Sequence, residues 1–171
     1  EIKDAAEAIT SAENLVVFYG SDGTDLASSQ ALANAAANLL IATGHVGRAN
    51  NGLVAVWDKG NVQGAWDLGF RPSTDLGAQM KDAALLYIVG ADPAGDDAQL
   101  ATAVDGAQFV VVQELMLTKT ALAADVVLPA QAFTERDGSY TSGERRVQKI
   151  YPAVPALEGT RADFAIAAQI G

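Results

Sequence analysis

Three cationic side chains lie close together near the carboxyl end of a chain that is otherwise acidic. The cations are Arg145, Arg146 and Lys149. The planar guanidinium group of arginine suits phosphate or carboxylate partners, because it donates two parallel hydrogen bonds. The alternative is a solvated face on which the cations pair with nearby carboxylates, and exposed pairs of that kind add little stability. Those carboxylates are Glu135, Asp137 and Glu144. Composition alone leaves both interpretations open.

Uncharged hydrogen-bonding side chains and glycines occur together in "GNVQGAWDLG", residues 60–69. Such a run can bind the edge of a polar heterocycle, because amides both donate and accept and glycine gives close backbone access. The candidates are Asn61, Gln63, Gly64 and Asp67. Composition alone favours a plainer interpretation, a buried loop whose amides satisfy backbone groups. The single histidine, His45, is interpreted as a cap or packing residue.

Two strand-to-helix turns, "GSDGTD" and "GADPAGDD", carry glycines and several aspartates near a helix start. Neither has the full glycine spacing of a dinucleotide-binding loop, and the carboxylates would lie where a pyrophosphate binds. We therefore predict capped turns, with Thr24 or Asp25 as the first N-cap.

The elements that must position these residues follow an alternating pattern. Apolar runs at 15–20, 84–90, 108–114 and 125–129 predict buried strands, and the segments between them predict helices. This order predicts an α/β fold with a doubly wound, mostly parallel sheet and helices on both faces. Residues 45–75 show no clear periodicity and are interpreted as a long ordered loop.

Composition limits the possible functions. The net charge of −10 disfavours binding to nucleic acid or to an anionic membrane surface. The chain has no cysteine and one histidine, which disfavours a metal or iron–sulfur site in this segment. No apolar run approaches the length of a membrane span. The chain begins without methionine and ends within an amphipathic pattern, so we expect a piece of a longer polypeptide: an α/β domain over 1–130 and an exit segment over 131–171.

Three motifs in order resemble the molybdopterin oxidoreductase superfamily. They are "TGHVGRANNGLVAVWDKGNVQGAWDLG", "ALLYIVGADP" and "TKTALAADVVLPAQAFTERDGSYTSGERRVQ". The resemblance implies that a nucleotide pocket, or the vestige of one, involves eight positions: Asn61, Gln63, Gly64, Asp67, Gly90, Asp92, Asp125 and Arg146. Asp92 and Ser142 stand where relatives have asparagine, and Arg145 stands where they have glycine.

The resemblance offers two branches. The three differences from relatives, at Asp92, Ser142 and Arg145, and the sequence of residues 50–69 favour resemblance to the G subunit of bacterial NADH:quinone oxidoreductase (complex I). That branch implies a structural domain with no catalytic residue, no cofactor and no metal, while iron–sulfur clusters lie elsewhere in the subunit. Its partners would be other domains of that subunit and other peripheral-arm subunits, on the cytoplasmic side of the inner membrane. The alternative is a domain that binds molybdopterin guanine dinucleotide in a formate dehydrogenase-like oxidoreductase.

Overall fold

A computed structural model describes residues 1–20 and 25–171 of the chain. The described residues form two compact units. Unit 1 comprises Glu1–Phe70 and Tyr140–Gln148, and unit 2 comprises Arg71–Ser139 and Lys149–Gly171. The expected division into 1–130 and 131–171 rested on where the chain leaves its sheet, and it stays a prediction.

Unit 1 contains a parallel pair of strands and three helices. The elements are α1 (Ile2–Ser11), β1 (Val16–Gly20), α2 (Leu26–Ala42), β2 (Gly52–Val56) and α3 (Val62–Asp67). The two strands pair in register from Val16 opposite Gly52 to Gly20 opposite Val56. Because the strands are parallel, their carboxyl ends meet at the same edge of the sheet.

Capping residues define both ends of α2. The Asp25 carboxylate accepts a hydrogen bond from the backbone N–H of Ser28 at 2.7 Å, and this bond holds the Asp25 pKa below its usual value. Asp25 is therefore the N-cap. Thr24, the other candidate, lies outside the described residues, as does the rest of the "GSDGTD" turn between Gly20 and Asp25. At the other end, Gly44 has a φ of 70°.

His45 is buried and links α2 to α1, as its interpretation as a packing residue requires. Its Nδ1 lies 2.7 Å from Thr43 Oγ1, and its Nε2 lies 2.9 Å from the Ala12 carbonyl oxygen. Since both ring nitrogens are engaged within the protein, His45 has no nitrogen left for a metal or a ligand.

The prediction of a long loop over residues 45–75 was wrong. That segment contains β2 and α3. The run "LVAV" lies between Gly52 and Trp57, and the glycines and asparagines around it favoured a loop over a strand. Its pairing with β1, nearly 40 residues earlier, is what makes it a strand.

Unit 2 contains a three-stranded parallel sheet in the order β3, β4, β5. Its strands are β3 (Leu86–Val89), β4 (Val110–Glu114) and β5 (Val126–Pro129), and its helices are α4 (Leu76–Asp82), α5 (Pro93–Asp96), α6 (Ala98–Asp105), α7 (Lys119–Leu122) and α8 (Asp163–Ile170). A parallel bridge between Ala130 and Arg161 continues the pairing beyond β5. The α/β class with parallel sheets is confirmed, and the parallel strands form two separate sheets.

The core of unit 2 forms where helices cover this sheet. Its buried members are Met80, Leu86, Ala103, Val104, Val110, Val112 and Ala121. These residues come from β3 and β4 and from α4, α6 and α7, so burial of apolar surface between layers holds the unit together.

Strands β6 (Gly138–Thr141) and β7 (Val147–Ile150) form a two-stranded sheet joined by a tight turn. The Arg145 N–H donates to the Ser142 carbonyl at 2.8 Å, and the Ser142 N–H donates to the Arg146 carbonyl at 3.0 Å. Arg145 has a φ of 61°, the left-handed conformation that favours glycine. The chain therefore places an arginine where its backbone carries strain.

Replacing Arg145 with glycine should stabilise the protein. Glycine adopts a positive φ without the Cβ clash, and that clash costs about 1–2 kcal/mol in other residues. We expect Arg145→Gly to raise the free energy of unfolding by about 1 kcal/mol, measured by urea denaturation. Arg145→Ala removes the same charge but keeps a Cβ, so it should leave the stability near that of the native chain. A glycine variant no more stable than the alanine variant would contradict this account of the turn.

Candidate functional site

The amide-rich motif lies on α3 and at its start in unit 1. Gln63 is buried, and its Nε2 donates to Asp67 Oδ1 at 2.9 Å. Asn61 Oδ1 accepts a hydrogen bond from the Thr141 N–H at 2.9 Å. A Cβ on Gly64 would lie 2.3 Å from Asn61 Oδ1, so a larger residue would force the Asn61 amide away from this position. The structure thus places these four predicted residues together. The Gln63 amide, the Asp67 carboxylate and the Asn61 amide oxygen already form hydrogen bonds within the protein.

A cleft of about 350 Å³ lies in unit 1 at the turn between β6 and β7. This turn follows Thr141, whose N–H bonds to Asn61. One wall comes from β1 and β2, and the other comes from residues 142–148. Its lining residues include Phe18, Val56, Ser142, Arg146 and Gln148. A Cβ on Gly143 would lie 2.9 Å from the Ala55 carbonyl oxygen, so glycine lets the turn lie directly against β2.

The charged side chains that line this cleft are those of Arg146 and Glu144. In the described ranges 1–20 and 25–171, no carboxylate lies within ion-pair distance of Arg145 or Arg146. Glu135, one of the expected partners, instead accepts hydrogen bonds from the backbone N–H groups of Ala132 and Leu157. The exposed Arg146 side chain can therefore bind an anionic group, although Glu144 also lines the cleft.

Gly90 and Asp92 form the turn after β3 in unit 2. Gly90 has a φ of 61°, and its N–H donates to the Gln113 carbonyl at 3.0 Å. Asp92 Oδ1 accepts from Thr120 Oγ1 at 2.6 Å, from the Thr120 N–H at 2.8 Å and from the Gly95 N–H at 3.2 Å. The hydrogen bond from the Thr120 hydroxyl, followed by that from its N–H, lowers the pKa of Asp92. Asp92 therefore stays ionised at neutral pH and would repel an anionic ligand.

Asp125 lies at the opposite end of this sheet from Gly90 and Asp92. Its Oδ2 accepts from the N–H of Val110, the first residue of β4, at 2.8 Å. Its own N–H donates to the Val110 carbonyl at 3.0 Å. Gly90 and Asp92 follow the carboxyl end of β3, where ligands bind in parallel sheets, whereas Asp125 precedes β5. The structure does not bring these residues together, and Asp125 serves the backbone at the amino ends of the strands.

A chain of polar contacts centred on the buried Gln113 in unit 2 escaped the sequence analysis. The Tyr87 hydroxyl donates to Gln113 Oε1, and Gln113 Nε2 donates to Asp163 Oδ1 at 2.6 Å. Asp163 also forms an ion pair with Arg136. The signal in the sequence is the amide of Gln113 within an apolar strand, since a buried amide requires partners. This chain of contacts attaches α8 to the sheet.

Metal ligands and membrane spans were also sought in the described part of the chain. There, no three side chains among His, Asp and Glu converge in a way that could hold a metal ion. No helix among these residues is both long enough and apolar enough to cross a membrane.

Replacing Asp92 with asparagine should destabilise unit 2 in a pH-dependent manner. The folded-state pKa lies below the usual value of 3.8, so the charged carboxylate stabilises the fold above that pH. This contribution disappears as the pH falls below 3.8 and the native carboxylate becomes protonated. We expect Asp92→Asn to unfold at a lower urea concentration than the native chain at pH 7, and the difference to shrink at acid pH. Asp96→Asn, an exposed change at the end of α5, serves as the control. A difference in unfolding midpoint between Asp92→Asn and the native chain that is equal at both pH values would contradict the prediction.

Comparison with known proteins places the chain in a family. Residues 3–171 match the molybdopterin oxidoreductase family. The F420-dependent formate dehydrogenase 2 subunit alpha of Methanococcus maripaludis is 33% identical over 201 residues, which cover 96% of this chain and 30% of that protein. Formate dehydrogenase H of Escherichia coli is 28% identical over 209 residues, which cover 99% of this chain and 29% of that protein. The F420-dependent formate dehydrogenase subunit alpha of Methanocaldococcus jannaschii is 31% identical over 188 residues, which cover 90% of this chain and 28% of that protein.

These relatives overturn one expectation and confirm another. The assignment to the G subunit of NADH:quinone oxidoreductase, as a structural domain of complex I, was wrong, because these similar proteins are formate dehydrogenases. The departures at Asp92, Ser142 and Arg145 were given too much weight in that choice. The chain spans less than a third of the length of these relatives. The match over almost every residue nevertheless confirms the superfamily: this chain belongs to the molybdopterin oxidoreductase family.

Proposed function

We propose that this chain is a cofactor-binding part of a formate dehydrogenase-like oxidoreductase, and that it helps to hold molybdopterin guanine dinucleotide. The observation that carries this proposal is the similarity to formate dehydrogenases along nearly the whole chain. When bound, the cofactor would supply a molybdenum or tungsten centre that accepts two electrons from formate. No catalytic residue is assigned to this chain.

The cleft of unit 1 supports the proposal because its lining suits a nucleotide. Its volume of about 350 Å³ is in the range of small-molecule pockets. Arg146 can bind a phosphate group, and the Gln148 amide and Ser142 hydroxyl can each donate and accept hydrogen bonds. The Phe18 ring is 68% exposed and lines the same cleft, so it offers an apolar surface to a base.

The turn of unit 2 is less suited to a phosphate. The ionised Asp92 directs its Oδ1 to Thr120 and Gly95, and its negative charge disfavours an anion nearby. Gly90 still allows close backbone approach, so this turn suits an uncharged part of a ligand better. Within this chain, the phosphate-binding role therefore belongs to Arg146.

Removal of the Arg146 side chain should weaken cofactor retention. The loss of one charge-assisted hydrogen bond costs about 1.5–3 kcal/mol, which corresponds to about a 10- to 100-fold loss of affinity. The protein produced from its complete gene should be purified and dialysed, and its pterin, guanine nucleotide and metal contents should be measured. We expect Arg146→Ala to lose most of its pterin and guanine nucleotide.

Arg145→Ala is the matched control, because it removes the same charge at a position outside the cleft lining. This variant should retain the cofactor. Equal retention by Arg146→Ala and the native protein would refute the role of Arg146. A native protein that contains neither pterin nor molybdenum or tungsten would refute the proposed function itself.

A further inference from the structure

The Glu144 carboxylate lines the unit 1 cleft, where the binding of a phosphate gives it no role. Its side chain is exposed, and in residues 1–20 and 25–171 no cation lies within ion-pair distance of it. A carboxylate repels a nearby phosphate, which weakens binding unless the carboxylate contacts another part of the same ligand. A phosphate alone therefore does not account for the side chains of this cleft.

The two walls of the cleft differ in polarity. The wall from β1 and β2 has apolar side chains, those of Phe18, Val54, Ala55 and Val56, whereas residues 142–148 supply the polar lining side chains. A planar base that packs against the exposed Phe18 ring would lose hydrogen bonds if its polar edge faced the apolar wall. The polar edge of a bound base is therefore directed toward residues 142–148.

The backbone on both sides of Glu144 is fixed. Gly143, the preceding residue, lies so close to β2 that a Cβ there would be 3.5 Å from Val54 Cγ1. On the other side, the Arg146 N–H donates to Ser142 Oγ at 3.3 Å and closes the turn. Since the turn cannot shift without breaking these contacts, it holds the Glu144 carboxylate at the cleft.

We infer that Glu144 determines the base specificity of the cleft by accepting hydrogen bonds from the ring N1–H and the 2-amino group of guanine. A carboxylate has two oxygens that only accept, so it binds two adjacent donors in parallel. Adenine carries an acceptor at ring position 1, which a carboxylate repels. Arg146 binds the phosphate at the other end of the same nucleotide. This inference rests on the proposed function, since it takes the ligand to be the guanine nucleotide part of the cofactor.

The test compares the binding of GDP, inosine diphosphate and ADP. The protein is produced from its complete gene in a host that makes no pterin, which leaves the cleft free for these probes. They share their phosphates, but inosine diphosphate lacks the 2-amino group and ADP lacks both donors. We expect the native protein to bind GDP about 10-fold more tightly than inosine diphosphate, the factor for one hydrogen bond to a charged group, and to bind ADP more weakly still. Glu144→Gln keeps the side-chain size but replaces one acceptor with a donor, so it should lower the GDP-to-ADP affinity ratio about 10-fold.

Two control variants and a second measurement accompany this test. Glu13→Gln removes an exposed carboxylate of unit 1 outside the cleft lining, so it should leave both affinities unchanged. Arg146→Ala should weaken GDP and ADP by the same factor, because both carry the phosphate. If the cofactor-free protein does not fold, the guanine nucleotide content of the cofactor-loaded protein is measured after dialysis. Glu144→Gln should then lose more nucleotide than Glu13→Gln, and equal retention would overturn the inference.

The outcomes separate this inference from the proposed function. If the folded native protein binds no GDP, binds GDP and ADP equally, or keeps its preference in Glu144→Gln, the role of Glu144 is wrong. The proposed function still stands in those cases when the native protein from a pterin-producing host contains pterin. If that protein contains no pterin but the cleft prefers GDP through Glu144, the proposed function fails and the base specificity stands. If it contains no pterin and shows no preference, both fail.

Discussion

One hydrogen bond, from the Thr141 N–H to Asn61 Oδ1, joins parts of unit 1 that are 80 residues apart in the chain. It holds the turn between β6 and β7 beside the start of α3. The contact of Gly143 with the Ala55 carbonyl fixes the same turn against β2. The cleft exists because these two contacts bring Ser142, Arg146 and Gln148 to the sheet. The amide of Asn61 therefore contributes to a candidate binding site by building its wall.

The charged side chains of the candidate sites in the two units differ in their contacts. In unit 1, Arg146 is exposed and has no ion-pair partner in the described part of the chain, although the protein carries a net charge of −10. In unit 2, the Asp92 carboxylate is committed to donors from Thr120 and Gly95. A cation without a partner is suited to an incoming anion, whereas a carboxylate with several internal donors mainly stabilises its own turn. The physical chemistry of the two units thus favours unit 1 for a phosphate.

Much of the fold could be predicted from the sequence, because β3, β4 and β5 are uniformly apolar and are separated by helical patterns. Strand β2 was missed although its apolar run is as long as those of β3 and β5, because the glycines and asparagines around it are typical of a loop. The opposite placement of Asp125 and Gly90 could have been anticipated, because one precedes a parallel strand and the other follows one. The cleft could not, since it depends on contacts between residues 80 or more positions apart. The choice between branches of the family was wrong, because the residues at positions 92, 142 and 145 do not by themselves distinguish the two branches.

Unit 1 is formed by two separate segments of the chain, which affects the order in which it can fold during synthesis on the ribosome. Residues 140–148 belong to unit 1, yet residues 71–139 of unit 2 are made before them. At about 5–20 residues per second this interval lasts roughly 4–14 s. During that time the surface of β2 around Ala55 lacks the segment that later covers it. Nascent unit 1 therefore cannot complete its packing around Ala55 until the hairpin has been synthesised.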